Sequence, residues 1–499
     1  MENAGAIRAD RAVRNASVVA LQRSLIILSG VLTATLVPRA FGPQVYGRYA
    51  LVSSMAIWFS IMSEMGLAPI LARFIPESLA ANDRDNLQRL FDNVLAAQLT
   101  SALAAGVVFT VFTRLWLQDL DGWVLLLGGG MVAVRGTAGL LAQFLAALNE
   151  AGQAALGETT RQWLAVIVPL LGFRAAGLRG AVLGLLLAEF VVIALVVWLV
   201  RRHVRHWRPR LEPGYLRTYM AFGLTMLVSE AASTAYSASP SIVLRLVARD
   251  YAQIGYYELS AKVYTTLAVA MMQFTSAFSP LMVAFFAQGR RDAVFSWAER
   301  LLKWMAIFGS CAVFAALLLG ETVIPWLVGR DYRPVAYVLI PQLVSLLGLA
   351  LTTTARTMSI IHKQPRIALM GISLRLILFW LLGIVLSSRW GALGTALAQV
   401  VSGLAQALVM TWVVRRFAPY SLRPPLAAMG LAAVFLPLVA FRGAWTTNLG
   451  LFLIFALGYG VLVLRSGLVR WNEFQVAWRM VRSGGGSRLS GQPGPEQLL

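Results

Sequence analysis

Apolar segments of about 20 residues follow one another along most of this chain, and this pattern leaves few folds open to it. Only 13% of the 499 residues are charged, whereas about a quarter are charged in soluble domains. In lipid, backbone polar groups must bond within the protein, so the segments are expected to be helices. We count about fourteen spans, at 17–37, 47–67, 92–113, 123–147, 154–173, 180–200, 218–247, 256–283, 303–320, 335–361, 367–387, 391–413, 425–441 and 447–464.

Basic residues are unevenly divided between the two sets of loops that these spans define. An even number of spans places both termini on one face. The loops of that face hold most of the basic residues, including the dense run from Arg201 to Arg210. By the positive-inside rule, both termini are expected to be cytoplasmic. The formal net charge of +21 is explained by this distribution, so no nucleic-acid partner is expected.

Short matches recur about 210 residues apart, which indicates an internal repeat. Tyr46-Gly47-Arg48-Tyr49 returns as Ile254-Gly255-Tyr256-Tyr257, and Trp116-Leu117 returns as Trp326-Leu327. The predicted fold class is therefore an all-α polytopic membrane protein with about 14 transmembrane helices. Two six-helix, pseudo-symmetric halves would be followed by two C-terminal helices, and the substrate site would lie between the halves.

The repeat also predicts domain boundaries. Residues 1–210 would form the N-terminal six-helix bundle and 211–418 the C-terminal one. Residues 419–481 would hold the two extra helices and a cytoplasmic end. The tail at 482–499, rich in Gly, Ser, Pro and Gln, is predicted to be disordered.

No motif for covalent chemistry is present. The chain lacks a P-loop and has only three Lys, so nucleotide hydrolysis at such a loop is not expected. The three His lie in basic loops and Cys311 lies alone in an apolar run, which predicts no metal site. Asp119-Leu120-Asp121 has the form of a glycosyltransferase motif but lies in a short loop. The protein is therefore expected to be neither an enzyme nor a cofactor binder.

Charged residues inside the predicted spans are the candidates for function, because a charge at bilayer depth costs a few kcal/mol or more. In the repeat, Arg23 and Glu230 lie at matching depths, either as a gate or coupling pair or as two unrelated charges. Arg161 and Arg375 occupy equivalent places in spans 5 and 11, which favours a structural role for both. The basic residues in this set are Arg23, Arg135, Arg245, Lys262, Arg356 and Arg375.

The sequence between spans 1 and 2 resembles the hallmark of bacterial polysaccharide-unit flippases. That segment is Pro38-Arg39-Ala40-Phe41-Gly42-Pro43-Gln44-Val45-Tyr46-Gly47-Arg48-Tyr49-Ala50. The likeness continues at Arg73-Phe74-Ile75-Pro76-Glu77 and at Gly329-Arg330-Asp331-Tyr332. The layout is similar to that of the multidrug/oligosaccharidyl-lipid/polysaccharide exporter superfamily, which also holds lipid II flippases.

The resemblance implies a flippase in the bacterial cytoplasmic (inner) membrane. It would move a polyprenyl-pyrophosphate-linked oligosaccharide from the inner to the outer leaflet by alternating access, for O-antigen, lipopolysaccharide or other cell-surface polysaccharide. Spans 13 and 14 would form a groove for the lipid tail. The implied partners are the lipid-linked oligosaccharide, membrane lipids, a coupling ion and polysaccharide-assembly proteins.

The resemblance also selects site residues. A cationic cavity lined by spans 1, 2, 7 and 8 would bind pyrophosphate through Arg23, Arg48, Arg245 and Lys262. Glu230 departs from a uniformly cationic cavity, and with Glu258 it would supply a coupling or cavity acid. Ion or membrane-potential coupling is expected, since no nucleotide site exists.

Four alternatives remain open at this point. A multidrug exporter of the same fold would prefer acidic and aromatic residues in its cavity, and a lipid II flippase would use the same mechanism. A membrane glycosyltransferase or ligase would need a large loop with acidic catalytic residues, which this chain lacks. A scaffold for a polysaccharide synthase would leave the charges in the spans unexplained.

Overall fold

The computed structural model describes residues 2–204, 206–362, 364 and 366–469, and almost all of this part is helical. The predicted disordered tail lies outside it. Within the helices, some side chains also lie outside the described set; they belong to residues 2–21, 23, 225–226, 228–230, 273–277, 279–281 and 284.

The helices follow one another with short connections. The first five are α1 (Glu2–Ser63), α2 (Leu67–Ala80), α3 (Arg84–Trp116), α4 (Gly122–Ala147) and α5 (Ala151–Val200). The next five are α6 (Pro213–Val247), α7 (Tyr251–Ala287), α8 (Arg291–Val328), α9 (Val335–Ile361) and α10 (Arg366–Val414). The last are α11 (Arg423–Ala433) and α12 (Trp445–Arg465), with 3-10 helices at Arg330–Tyr332 and Leu436–Phe441.

Three of these helices each cross the membrane twice, because a residue with non-helical geometry reverses the chain. Gly42, Gly177 and Gly391 have φ of 72°, 58° and 53°, and glycine adopts positive φ without a steric penalty. With α2 continuing the second pass of α1, and α11 joined to its 3-10 helix, the fold has the predicted fourteen passes. Nine helices in the described residues are long and apolar enough to span a membrane. The predicted all-α, polytopic fold class is confirmed.

The second group of five helices repeats the order of the first. Helix α5 reverses at Gly177 and α10 at Gly391, and α4 packs against α3 and α5 as α9 packs against α8 and α10. Helices α11 and α12 attach to α8, where the rings of Phe314 and Phe455 stack with centroids 4.0 Å apart. The fold therefore has two related halves, α1–α5 and α6–α10, with two passes added.

The connections define two faces. We call the face at which α1 begins the N-terminal face; the turns after α2, α4, α5, α7, α9 and α10 also lie there. The opposite, distal face holds the three reversal points and the turns after α3, α6 and α8. Between the faces, large apolar side chains such as Leu103, Val107 and Leu408 are exposed on the outer surface. This surface suits contact with hydrocarbon.

Candidate functional site

At the distal face the two halves meet at the repeated glycine segment. A Cβ atom on Gly47 would lie 1.8 Å from the carbonyl oxygen of Tyr251, and one on Gly255 would lie 2.5 Å from that of Pro43. No side chain fits at these distances, so the close approach of α1 and α7 requires glycine at both positions. The recurrence found in the sequence therefore marks the contact between the halves.

Three polar contacts join the halves around these glycines. Gln44 Nε2 donates to Asp250 Oδ1 at 2.8 Å, and the Tyr332 hydroxyl donates to the Pro38 carbonyl at 2.9 Å. Arg245 Nη2 donates to Asp119 Oδ1 at 2.6 Å. We call these three contacts and the glycine pair the distal seam. A motion that separates the halves at this face must break all of them.

Two of the predicted binding residues, Arg48 and Arg245, belong to this seam. Their guanidinium carbons lie 5.1 Å and 4.7 Å from the ring centroid of Tyr251, and the Arg48 Nε is buried without a hydrogen-bond partner among the described residues. Lys262 lies about 16 Å along α7 from Tyr251, at a helical rise of about 1.5 Å per residue. Among the described side chains, Arg48 and Arg245 thus lie apart from Lys262 in this conformation.

A further ion pair at the distal face joins Arg179 and Asp121. Asp121 also caps α4, because its Oδ1 accepts a hydrogen bond from the Trp123 backbone N–H at 3.2 Å. Partial desolvation raises the pKa of the Asp121 carboxyl, but the Arg179 guanidinium outweighs this and holds that pKa below its usual value. Asp121 therefore serves helix capping and charge pairing.

Deeper between the halves, Glu258 connects α7 to α1 and α6. Its Oε1 accepts from the Ser54 hydroxyl of α1 at 3.2 Å and from the Ser241 hydroxyl of α6. Lys262, one turn along α7, interacts electrostatically with Glu258 and also with Arg135 and Glu158 of the first half. Glu258 and Lys262 therefore lie on α7 near side chains of the first half.

A network of four charges occupies the first half. Arg135 Nη1 lies 2.9 Å from Glu189 Oε1, and Arg161 Nε lies 3.1 Å from Glu189 Oε2. Arg161 also pairs with Glu158. Two guanidinium groups are thus balanced by two carboxylates. The sequence interpretation missed Glu189; the available signal was an acidic residue in the otherwise apolar sixth span.

Arg375, the residue of the second half that is equivalent to Arg161, has different contacts. The Arg375 guanidinium carbon lies 4.0 Å from the ring centroid of Tyr236, and Nη1 donates to Gln406 Oε1 at 3.5 Å. Its Nε is buried without a hydrogen-bond partner among the described residues. Within the part of the chain that the structure describes, no carboxylate pairs with Arg375. Arg161 and Arg375 are equivalent in position but not in environment.

An apolar crevice lies beside this arginine. It has a volume of about 440 Å³ and opens between α1, α6 and α10. Leu376 and Ala235, which line it, are the sequence neighbours of Arg375 and Tyr236. Its lining is Trp58, Ala235, Ser239, Ile242, Leu376, Ile377, Trp380 and Leu381.

The remaining predicted candidates are Arg23, Glu230 and Arg356. The side chains of Arg23 and Glu230 lie outside the described set, so their opposition across the axis remains a prediction. Arg356 is exposed in the last turns of α9, near the N-terminal face.

The halves also touch near the N-terminal face. A Cβ atom on Gly66, at the start of α2, would lie 2.2 Å from the Gly223 carbonyl oxygen of α6. Arg73 packs nearby, with its guanidinium carbon 4.8 Å from the Phe222 ring centroid. The halves thus contact each other near both faces, at the α2–α6 contact and at the distal seam, and Glu258 and Lys262 lie on α7 between these contacts.

This chain is an all-helical membrane protein with two related halves and two added passes. Solved structures of a flippase and of transporters share this fold. The lipid II flippase MurJ, in an inward closed conformation, has a TM-score of 0.70 at 15% identity, covering 91% of this chain and 99% of that chain. An inward-facing multidrug resistance MATE family transporter of the MOP superfamily has a TM-score of 0.65 at 14% identity, covering 80% and 94%. The Vibrio cholerae MATE transporter VcmN has a TM-score of 0.55 at 14% identity, covering 84% and 100%.

The family follows from the sequence. A family model described as polysaccharide biosynthesis protein matches residues 12–286, and the chain belongs to this family. A search of curated proteins found no match. The family and the fold together confirm the predicted superfamily, that of the multidrug, oligosaccharidyl-lipid and polysaccharide exporters.

Proposed function

We propose that this protein is a flippase that moves a polyprenyl-pyrophosphate-linked oligosaccharide from the inner to the outer leaflet of the bacterial cytoplasmic membrane. The product would serve cell-surface polysaccharide assembly, such as O-antigen and lipopolysaccharide. The observation that carries the proposal is a basic group between the halves, Lys262, in a chain of the polysaccharide biosynthesis family. An anionic headgroup that leaves the interface needs such partners.

The substrate would be divided between two environments. Its pyrophosphate and sugars would lie between the halves near Arg23 and Lys262. Its prenyl chain would stay in lipid, along the apolar crevice or the α11–α12 surface, where Leu426 and Leu457 are exposed. No covalent step is required.

Alternating access would follow from rocking of the halves. Opening the distal face would break the Arg245–Asp119 pair and free Arg48 and Arg245 to meet the pyrophosphate on its way out. The N-terminal face, with its basic loops, would be cytoplasmic. Glu258 and Glu230 would couple this motion to an ion, or the membrane potential would drive it.

Two proteins of similar fold suggest other substrates. One is a lipid II flippase, and lipid II would use the same division of head and tail between the protein and the bilayer. The other is a multidrug resistance transporter. A multidrug exporter would bind organic cations, which Lys262 and Arg375 would repel.

Transport by purified protein tests the proposal. Wild-type protein in liposomes should move a fluorescent polyprenyl-pyrophosphate sugar across the bilayer, and Arg23→Ala and Lys262→Ala should abolish the movement while the protein still inserts and folds. Arg356→Ala, which removes an exposed basic residue, is the matched control. Normal transport by both cavity variants would remove those residues from the mechanism, and no transport by the wild type would reject the function.

A further inference from the structure

We propose that Arg375 binds the anionic group of the transported molecule, as an oxyanion subsite inside the second half. This inference rests on the proposed function and deepens it. The sequence repeat alone favours a structural role for Arg375, because Arg161 lies at the equivalent place. The contacts of the two residues argue for different roles.

Arg161 has two counter-ions and Arg375 has none among the described residues. Glu189 and Glu158 neutralise Arg161, whereas Arg375 meets the Tyr236 ring and one amide oxygen. A buried guanidinium without a carboxylate is costly to keep. A structural role needs no such cost, since the first half shows the neutralised alternative at the same position. An anion that arrives with the substrate would supply the missing charge.

The N–H donors of Arg375 have few acceptors among the described residues. The Arg375 guanidinium carbon lies 4.0 Å from the Tyr236 ring centroid, which is a cation–π contact rather than a hydrogen bond. Of its five N–H donors, one meets Gln406 at 3.5 Å, the limit of a hydrogen bond. The side chain keeps some accessible surface. The nearby Tyr257 hydroxyl is already engaged with Gln399 Oε1 at 2.6 Å, so it does not satisfy the arginine.

Pyrophosphate is the ligand class that this geometry favours. A planar guanidinium matches two phosphate oxygens at once, which a lysine cannot do. The apolar crevice begins at the next residue, Leu376, so a prenyl chain attached to the pyrophosphate could extend into it. A sugar carboxylate shares the oxyanion chemistry, and the experiment must separate the two sources.

Ligand binding to the full-length protein in detergent tests whether Arg375 binds pyrophosphate. Farnesyl pyrophosphate should bind wild-type protein, and Arg375→Gln should weaken it at least about tenfold, as expected for loss of a charge-assisted pair. Arg375→Lys should weaken it less. Farnesol tests the chain without the anion, inorganic pyrophosphate tests the anion alone, and glucuronate tests the carboxylate. Tighter binding of glucuronate than of pyrophosphate would overturn the assignment to pyrophosphate.

The thermal midpoint without ligand separates binding from packing. Arg375→Gln removes an unneutralised charge, so the midpoint should stay the same or rise. The matched variant Arg161→Gln leaves two carboxylates short of a partner, so its midpoint should fall while farnesyl pyrophosphate still binds. A fall in the midpoint of Arg375→Gln with unchanged binding would show that the arginine is structural. If Arg375→Gln does not fold, the Arg375→Lys affinity decides, and wild-type affinity there would overturn the proposal.

The transport assay keeps the two proposals distinct. If wild-type protein moves the lipid-linked sugar and Arg375→Gln moves it equally well, the inference fails and the proposed function stands. If wild-type protein moves no such lipid, the proposed function fails, whatever the binding of farnesyl pyrophosphate shows.

Discussion

A single buried carboxylate, Glu189, sets the role of two arginines. Its two oxygens each meet one guanidinium, from Arg135 at 2.9 Å and from Arg161 at 3.1 Å. The sequence places Arg135 in predicted span 4 and Arg161 in predicted span 5, and in the structure the two residues lie within α4 and α5. The sequence alone could not identify Glu189 as the partner of Arg135, because 54 residues separate the two and only the packing of α4 on α5 brings them together.

We expect Glu189→Gln to lower the free energy of unfolding by on the order of 2 kcal/mol, since it leaves the half-buried Arg135 without its counter-ion. Unfolding in detergent, followed by circular dichroism, measures the change. The double variant Arg135→Gln/Glu189→Gln removes the orphaned charge and should recover part of the loss. Additive losses in the double variant would show that the two residues do not interact.

At the scale of helices, the decisive feature is the glycine pair of the distal seam. The sequence repeat found both Gly47 and Gly255, because each recurs in the same short segment. Hydropathy gave no reason for the recurrence. The structure supplies one, since the α1 and α7 backbones approach too closely there for any side chain.

Gly47→Leu should hold the distal seam open, because the new side chain would overlap the Tyr251 carbonyl. Cysteine labelling measures this: with Cys311→Ser and Tyr256→Cys in the same chain, a membrane-impermeant maleimide added from the distal side should react several-fold faster. Gly430→Leu is the control, since its Cβ would meet nothing within 4 Å. Equal labelling rates in all variants would contradict the steric argument.

At the scale of the whole molecule, alternating access by rocking of the two halves requires the distal seam to open and close. Hydropathy predicted the fourteen passes correctly, including the fifth, which Glu158 and Arg161 interrupt; the α5 helix continues through both residues. The repeat predicted the two halves. Neither pattern predicted that Arg48 and Arg245 would lie in the seam, about 16 Å from Lys262.

A disulfide across the seam should stop transport reversibly. Gln44 and Asp250 are joined by a 2.8 Å hydrogen bond, and the α1 and α7 backbones approach closely beside them, at Gly47 and Gly255. Gln44→Cys/Asp250→Cys on a Cys311→Ser background should therefore cross-link under oxidation. Transport in liposomes should then cease and return on reduction, while each single cysteine variant stays insensitive to oxidant. Undiminished transport by fully cross-linked protein would mean that the seam does not open.

The sequence by itself determined the number of spans, the repeat, the positions of the charges within the spans and the family likeness. These properties are local or periodic, so they can be read from residue order. Tertiary structure decided which charges are paired, since partners such as Arg245 and Asp119 or Arg135 and Glu189 come from different helices. A charge in lipid has a cost that depends on its neighbours. Residue order therefore locates Arg161 and Arg375 as equivalents, and only packing shows that one is neutralised and the other has no carboxylate beside it in the described chain.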